Sequence, residues 1–460
     1  MTHTIVLSLI SHTNVGKTTL TRTLLRRDVG EVRDEAHVTV DSERFVMLGD
    51  GEEALILWDT PGFGPVTKIL KRLDQEGGAL GWIAHEVIDR VFDRALYSSL
   101  EAARNVRAEA DVVLYLVNAR ENPEDAGYVR SELRLLDALK KPVVLILNQV
   151  AGDRLANISQ IRERWAEHYG DHSCLRQVIL LDAFSRSWLQ ELRLLDEIAP
   201  YLDDQKQRIL ARLRTRFISV HREVFKACAG LAGETLWFAA HQTLTGSEKG
   251  EQIFQRLMGE LQAHLDRYID LLVSRHHLEA VGRARLEADI EQVTGLMSTQ
   301  LEEKKTGFLA GAVASAGTGL MADILSGGLT FGGGMILGFL GGALGGFSYA
   351  RLMNFINRNS GVAWKEETLG HFYRLLLSYY LLAALHGRGK GKLELDEVAS
   401  FLSESIDDSW DEMKADVEGL ISTRVEGEKM SASWSNGFVE VFDQHVRLVL
   451  GKLYPELEKS

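Results

Sequence analysis

The sequence predicts an α/β domain with a mostly parallel sheet, followed by an all-α region, and three observations lead there. Over the first 205 residues, short apolar strand-like runs alternate with helix-like segments, the pattern of parallel strands covered on both faces. Beyond residue 205 apolar residues recur in steps of three and four, and only 6 prolines in 460 residues leave room for long helices. Between the first strand and the first helix lies a turn with the composition of a phosphate cradle.

That first strand is Ile5-Val6-Leu7-Ser8-Leu9-Ile10, and Ser11-His12-Thr13-Asn14-Val15-Gly16-Lys17-Thr18 follows it. The octet fits the P-loop template G-x-x-x-x-G-K-[ST] at every fixed position but one, with Ser11 where the first glycine is usual. Backbone N–H groups at the positive end of the following helix would cradle a β-phosphate, Lys17 would reach the β/γ oxygens and Thr18 would ligate Mg²⁺. Asn14, Val15, Gly16, Lys17, Thr18 and Thr19 are therefore the candidate phosphate contacts. A polar stretch, Val29 to Ser42, comes next; its Thr39 could join the Mg²⁺ only when a γ-phosphate is present, which is how a switch loop works. The strand Glu53-Ala54-Leu55-Ile56-Leu57-Trp58 then delivers Asp59-Thr60-Pro61-Gly62. In P-loop hydrolases such an aspartate holds Mg²⁺ through water, and the glycine N–H meets the γ-phosphate. Lys17, Thr39 and Gly62 are thus the catalytic candidates, and Thr18, Thr39 and Asp59 the Mg²⁺ ligands. A helical insertion over about 79–108 either couples this switch to the rest of the chain or decorates the surface. After it, strand and helix alternate again, with Val143-Val144-Leu145-Ile146-Leu147 leading into Asn148, and another strand running into Leu180-Leu181-Asp182-Ala183-Phe184.

With these motifs in place, residues 1–205 resemble a Ras-like P-loop GTPase domain, and more closely the bacterial TrmE–Era–EngA type. Asn14-Val15-Gly16-Lys17-Thr18 matches that family's N-V-G-K-[ST], and Asp59-Thr60-Pro61-Gly62 its D-T-P-G. The resemblance implies binding and hydrolysis of GTP with Mg²⁺, and a K⁺ ion held by Asn14, although Asn14 could equally brace the loop through its own hydrogen bonds. Asn148 occupies the first position of the guanine-reading N-K-x-D motif, and Ala183 the alanine of the S-A-K loop. The departures are specific. Phe63 stands where Ras has a water-orienting glutamine, so intrinsic turnover is expected to be slow. Gln149 and Ala151 replace the lysine and aspartate of N-K-x-D, and Asp153 lies two residues displaced. Loss of a bidentate base acceptor weakens discrimination, so guanine is implied by resemblance and not by these residues.

The helical remainder has its own signature. Residues 206–306 form a first helical region, in which Ile253, Leu257, Leu261, Leu265, Tyr268 and Leu272 share one face, a core stripe. Residues 307–350 hold 14 glycines and one charged residue, Asp323, in two apolar stretches joined by Ser326 to Thr330. At ~1.5 Å per residue, each stretch is about the ~30 Å thickness of bilayer hydrocarbon, so a hairpin could cross and return. Gly307, Gly311, Ser315, Gly319 and Asp323 recur every fourth residue, as do Gly334, Gly338, Gly342 and Gly346, giving two smooth helix faces suited to close packing. Lys304, Lys305, Arg351 and Arg358 flank the hairpin and would keep both ends on the cytoplasmic side. Two other readings of the hairpin are a buried helix pair and a self-association seam. Residues 351–460 form the last helical region, closed by a stripe of Phe438, Phe442, Val446, Val449 and Leu453; Gly387 to Lys392 is a basic turn.

Composition frames the whole. A net charge of −13 argues against a nucleic-acid partner, and two cysteines without ligand spacing, Cys174 and Cys228, suit a reduced cytosolic body. The adjacent His276 and His277 do not face one another on a helix and are not expected to bind metal. The first apolar segment lacks a basic leader and is needed as a strand, so no signal peptide is expected. The expected protein is a GTP/GDP switch in the cytoplasm, associated with the inner membrane through residues 307–350 and lipid, with a homo-oligomer also in view. The alternative is a soluble regulatory NTPase that uses the hairpin to oligomerise.

Overall fold

The computed structural model describes residues 3–12, 15–25, 43–49, 52–60, 66–67, 69–70, 102–104, 106–149, 158–181, 188–241, 250–278, 366–386, 395–422 and 429–453. The chain forms two compact units, one running from Met1 to His221 and the other containing Arg222–Leu385 and Lys392–Glu458.

In the first unit the element order is β1 (His3–Ser11), α1 (Lys17–Leu25), β2 (Glu43–Gly49), β3 (Glu53–Asp59), β4 (Val112–Asn118), α2 (Gly127–Leu139), β5 (Val143–Asn148), α3 (Ile158–Tyr169), β6 (Leu175–Leu180) and α4 (Trp188–Ile198). A long helix, α5 (Asp204–His241), contains the boundary between the units. Six strands make one sheet in the order β2-β3-β1-β4-β5-β6, parallel except for β2, which runs antiparallel to β3. This is the mostly parallel α/β arrangement that the alternation of runs predicts. Strands β4 and β5 are aliphatic along nearly their whole length because both of their faces are covered; every residue from Val112 to Val117 and from Val143 to Asn148 is buried. Edge strand β2 is more exposed, with Val46 at 50%. Since β1 pairs with β3 on one side and β4 on the other, the connections leave it in opposite directions. A crevice at the carboxyl end of β1 is the binding place this topology creates.

At the opposite, amino end of the sheet, polar side chains act as clamps. Asp111, just before β4, accepts the Val6 N–H at 2.9 Å and the Lys206 ammonium of α5 at 2.5 Å. Asp137, near the end of α2, accepts from His172 Nδ1 at 2.6 Å, Ser173 Oγ at 2.9 Å and the Cys174 N–H at 2.7 Å.

The second unit is helical: the later part of α5, α6 (Gly250–Arg275), α7 (Glu366–Ala384), α8 (Leu395–Ser422) and α9 (Ala432–Leu453). Helix α7 is buried on every side from Leu369 to Ala383, as a helix apolar around its circumference must be. The polar residues it carries are paired: Arg374 binds Asp407 of α8 and lies 5.0 Å over the Trp410 ring, and the Tyr373 hydroxyl bonds His445 Nδ1 of α9 at 2.6 Å. Leu261, Leu265, Tyr268 and Leu272 of the α6 stripe are buried, and so are Phe438, Phe442, Val446, Val449 and Leu453 of α9. Gly233 of α5 permits a close approach, because a Cβ there would sit 2.8 Å from the Phe438 ring. Cys174 and Cys228 are both buried and unbridged.

Residues 307–350, the basic turn at 387–392 and most of the 79–108 insertion lie outside the described residues. Among the described residues no helix is long and apolar enough to cross a membrane, and no group of acids, histidines and cysteines has the arrangement of a metal site. Residues 102–104 and 106–108 of the insertion are helical.

Candidate phosphate-binding site

The crevice at the end of β1 is built from four strand ends. Leu9 of β1 is in register with Asp59 of β3 on one side and Leu114 of β4 on the other, and Asn118 of β4 with Asn148 of β5, so the polar ends of β4 and β5 emerge four residues beyond the level of Asp59. From β1 the chain turns through the predicted phosphate loop into α1, whose first residue is Lys17; Leu20 N donates to Gly16 O at 2.9 Å, the first helical bond. Lys17 is thereby placed at the positive end of α1, where an anion would sit.

Lys17 is 8% exposed and Asp59 4%, and the Lys17 ammonium forms an ion pair with the Asp59 carboxylate. A charge this deeply buried needs a partner, and each is at hand for the other. Thr60 anchors the next residue: its hydroxyl donates to Leu9 O at 2.7 Å, tying the start of the D-T-P-G segment to the end of β1. The residue types fit a Mg²⁺ site, because Thr18 and Asp59 offer the hard oxygen donors that Mg²⁺ takes. Thr19 is buried in α1, Thr18 half-buried, and Val15 buried.

Gly16 has φ +88°, and a Cβ on it would lie 2.8 Å from Asn148 Nδ2 and 3.4 Å from Gln149 Nε2. Only glycine meets both demands. That close approach lets the fully buried Asn148 donate from Nδ2 to Val15 O at 2.8 Å, joining the end of β5 to the phosphate loop across the sheet. Gln149 follows in the left-handed region with φ 61°, an uncommon position for its type and one that clusters at functional loops. The non-glycine residues with positive φ among those described are Lys140, Gln149 and His277, so Ser11 sits where no glycine is required. Its presence at the first template position carries no conformational strain.

Sequence reasoning missed a second group of residues at this loop. His12 Nδ1 bonds Glu132 Oε1 of α2 at 2.9 Å, and the Tyr115 hydroxyl of β4 donates to Glu132 Oε2 at 2.6 Å. Glu132 is 1% exposed and Tyr115 fully buried. The Tyr128 ring stacks on His12 with centroids 4.3 Å apart, and its hydroxyl donates to Glu121 at 2.8 Å. Burial pushes the Glu132 carboxyl up against the pull of these hydrogen bonds, and the bond to Glu132 raises the His12 imidazole above its ordinary value. A signal existed in each element: a glutamate on the apolar stripe of α2 beside Val129, Leu133 and Leu136, and a tyrosine in the otherwise aliphatic run of β4.

Of the sequence-predicted residues, the structure brings Val15, Gly16, Lys17, Thr18, Thr19, Asp59 and Asn148 to one end of the sheet. Asn14, Thr39, Gly62 and Ala183 lie outside the described residues, as do Phe63, Ala151 and Asp153.

Comparison with known proteins bears on the same segment. The family described as 50S ribosome-binding GTPase matches residues 6–149, from mid-β1 to the residue after Asn148. The first unit is a bacterial P-loop G domain. GTPase Der of Geobacter metallireducens is 28% identical over 155 residues, which is 33% of this chain and 28% of that protein. The chain thus spans less than a third of that curated relative's length. Two solved Era structures, that of Aquifex aeolicus bound to GDP·AlF4⁻ and one in complex with MgGDPNP and nucleotides 1506–1542 of 16S ribosomal RNA, are each 20% identical. Both matches cover 44% of this chain and 58% of theirs at a TM-score of 0.33, too low to bear on the assignment.

Proposed function

We propose that the protein binds GTP and hydrolyses it with Mg²⁺, acting as a molecular switch. The observation that carries this reading is the buried pair of Lys17 and Asp59 at the carboxyl end of the parallel sheet, one at the start of α1 and the other at the end of β3. Binding would separate the pair, Lys17 moving to the β/γ oxygens of the nucleotide and Asp59 to the hydration shell of Mg²⁺. The bound ion would supply charge neutralisation on the phosphates. Lys17 supplies a second positive charge, the α1 N–H groups orient the phosphate chain, and Asn148 holds the loop through Val15. Thr39 and Gly62 are the proposed γ-phosphate sensors, Asn14 the proposed K⁺ ligand, and Ala183 a proposed base contact. Asn148 donates one amide hydrogen to Val15 and remains a proposed base contact, together with Gln149 and the loops that follow β5 and β6.

The reading extends to the rest of the chain. The nucleotide state of the Thr39 and Gly62 loops would control membrane engagement or assembly through the helical half, with residues 307–350 as the membrane element; support comes from the length and small-residue faces of that hairpin. The expectation of no nucleic-acid partner rests on net charge, while the family matched over residues 6–149 is described as ribosome-binding, so RNA belongs in the assay.

The test is nucleotide binding and turnover by the full chain, comparing GTP with ATP, K⁺ with Na⁺, and wild type with Lys17→Ala. GTP-selective turnover lost in the variant is the expected result, and no binding of either nucleotide would overturn the reading. Flotation with anionic-lipid vesicles in GDP and in a non-hydrolysable GTP analogue tests the membrane arm, and a ribosomal RNA shift assay the nucleic-acid arm. Nucleotide-independent flotation would remove the coupling.

A further inference from the structure

Phosphate loops are ordinarily shaped by glycines at their ends, yet this one begins Ser11-His12 with no positive φ at Ser11. Side chains hold its start at His12 instead. His12 projects from the loop to α2, where the buried Glu132 accepts its Nδ1 bond and Tyr128 stacks on its ring. Glu132 is itself fixed from beneath by the Tyr115 hydroxyl. Its two carboxylate oxygens thus serve two different elements, the loop through His12 and the sheet through Tyr115. Nothing in the phosphate-binding reading requires an acid at this place, and a carboxylate 1% exposed is costly to bury unless it is hydrogen-bonded.

We propose that Glu132 is a positioning residue for the phosphate loop, acting through His12 to hold the loop's first turn against α2 in the geometry that grips a nucleoside triphosphate. The proposal rests on the GTP-binding reading for its ligand, but the positioning itself is a property of the nucleotide-free protein. Glu132 touches no phosphate. Its effect passes through one side chain, and that sets it apart from a residue that merely supports the core. The far end of α2 supplies the contrast, because Asp137 binds His172, Ser173 and the Cys174 N–H there, none of them in the loop.

The experiment uses the full chain as wild type, Glu132→Gln, His12→Ala, the double variant and Asp137→Asn. Glutamine keeps the size of Glu132 but presents one acceptor oxygen where the carboxylate has two. Hydrogen exchange of the 11–20 segment is followed without nucleotide, and GDP and GTP-analogue affinities are measured by calorimetry. Exchange in 11–20 should rise about tenfold in Glu132→Gln and in His12→Ala, and affinity should fall about tenfold in each. The double variant should be no worse than His12→Ala alone, the mark of two residues acting as one unit. Asp137→Asn should leave both readouts within about twofold of wild type while lowering the melting temperature. If Glu132→Gln fails to fold, Tyr115→Phe, which removes one hydroxyl, takes its place with the same expectations. Unchanged exchange in 11–20, multiplying losses in the double variant, or faster exchange with unchanged affinity would each overturn the proposal. A wild type that binds no nucleotide while exchange responds as expected would overturn the proposed function and leave the positioning intact.

Discussion

The two ends of the same parallel sheet use similar side chains for different ends. At the amino end, Asp111 accepts a backbone N–H of β1 and the Lys206 ammonium, and Asp137 accepts a backbone N–H and two side chains. These carboxylates are joined to fixed backbone groups, so they serve as clamps. At the carboxyl end, Lys17 and Asp59 are deeper still, yet the bond between them is one of side chain to side chain, from the mouth of one helix to the tip of one strand. Such a pair can part when a phosphate and a cation offer each member a better partner. The lesson is that burial of charge does not by itself distinguish a clamp from a ligand site; in this sheet the clamps end on backbone groups, and the Lys17–Asp59 pair does not.

That contrast can be broken, and the largest effect is expected at Lys17. Lys17→Ala should weaken GTP binding at least ~100-fold, read by calorimetry, because it removes the buried cation from the phosphate oxygens. Asp111→Ala belongs to the other class. It strands the Val6 N–H and the Lys206 ammonium, and should cost about 2–3 kcal/mol in urea denaturation while leaving GTP affinity within about twofold. Gly16→Ala combines a positive φ with a Cβ 2.8 Å from Asn148 Nδ2. It should cost about 1–2 kcal/mol, felt as weaker nucleotide binding more than as a lower melting temperature.

Asp137→Asn gives the smallest effect, about 1 kcal/mol of stability, and carries a pH signature. Burial works to raise the Asp137 carboxyl, but hydrogen bonds from His172, the Cys174 N–H and Ser173 outweigh it and hold the group below its ordinary value. A carboxyl with a lowered folded pKa stabilises fully above its unfolded value, about 3.9, and that contribution fades as pH falls through the folded value. The wild-type advantage over Asp137→Asn in urea midpoint should therefore be flat from pH 7 to pH 5 and shrink below about pH 4. An advantage undiminished between pH 5 and pH 3 would deny Asp137 its clamp role.

Much of the G domain was legible because its signals are local. Alternating aliphatic runs gave β1, β3, β4, β5 and β6, and fixed spacing gave Gly16, Lys17, Thr18 and Asp59, since a phosphate cradle needs those types within one turn of chain. The His12–Glu132–Tyr115 group was not legible, because its members lie 120 and 17 residues apart in sequence and each looks ordinary alone. Asn148 was chosen for its place in a base-reading motif, but its bond to Val15, 133 residues away, could not be read from that motif. In the helical unit the stripes on α6 and α9 were read from their period, but the full burial of α7 was not, for a helix apolar on all sides gives no amphipathic signal.

The sequence by itself determined the fold class, the order of strands and helices and the phosphate-loop chemistry, because periodicity and short motifs are set by residues within a few positions of one another. Only the tertiary structure decided that Lys17 meets Asp59, that Asn148 braces Val15 and that Glu132 reaches the loop through His12. Those contacts depend on the strand order and helix packing that bring distant segments together around the sheet, and a pairing between distant segments leaves no mark on either segment alone.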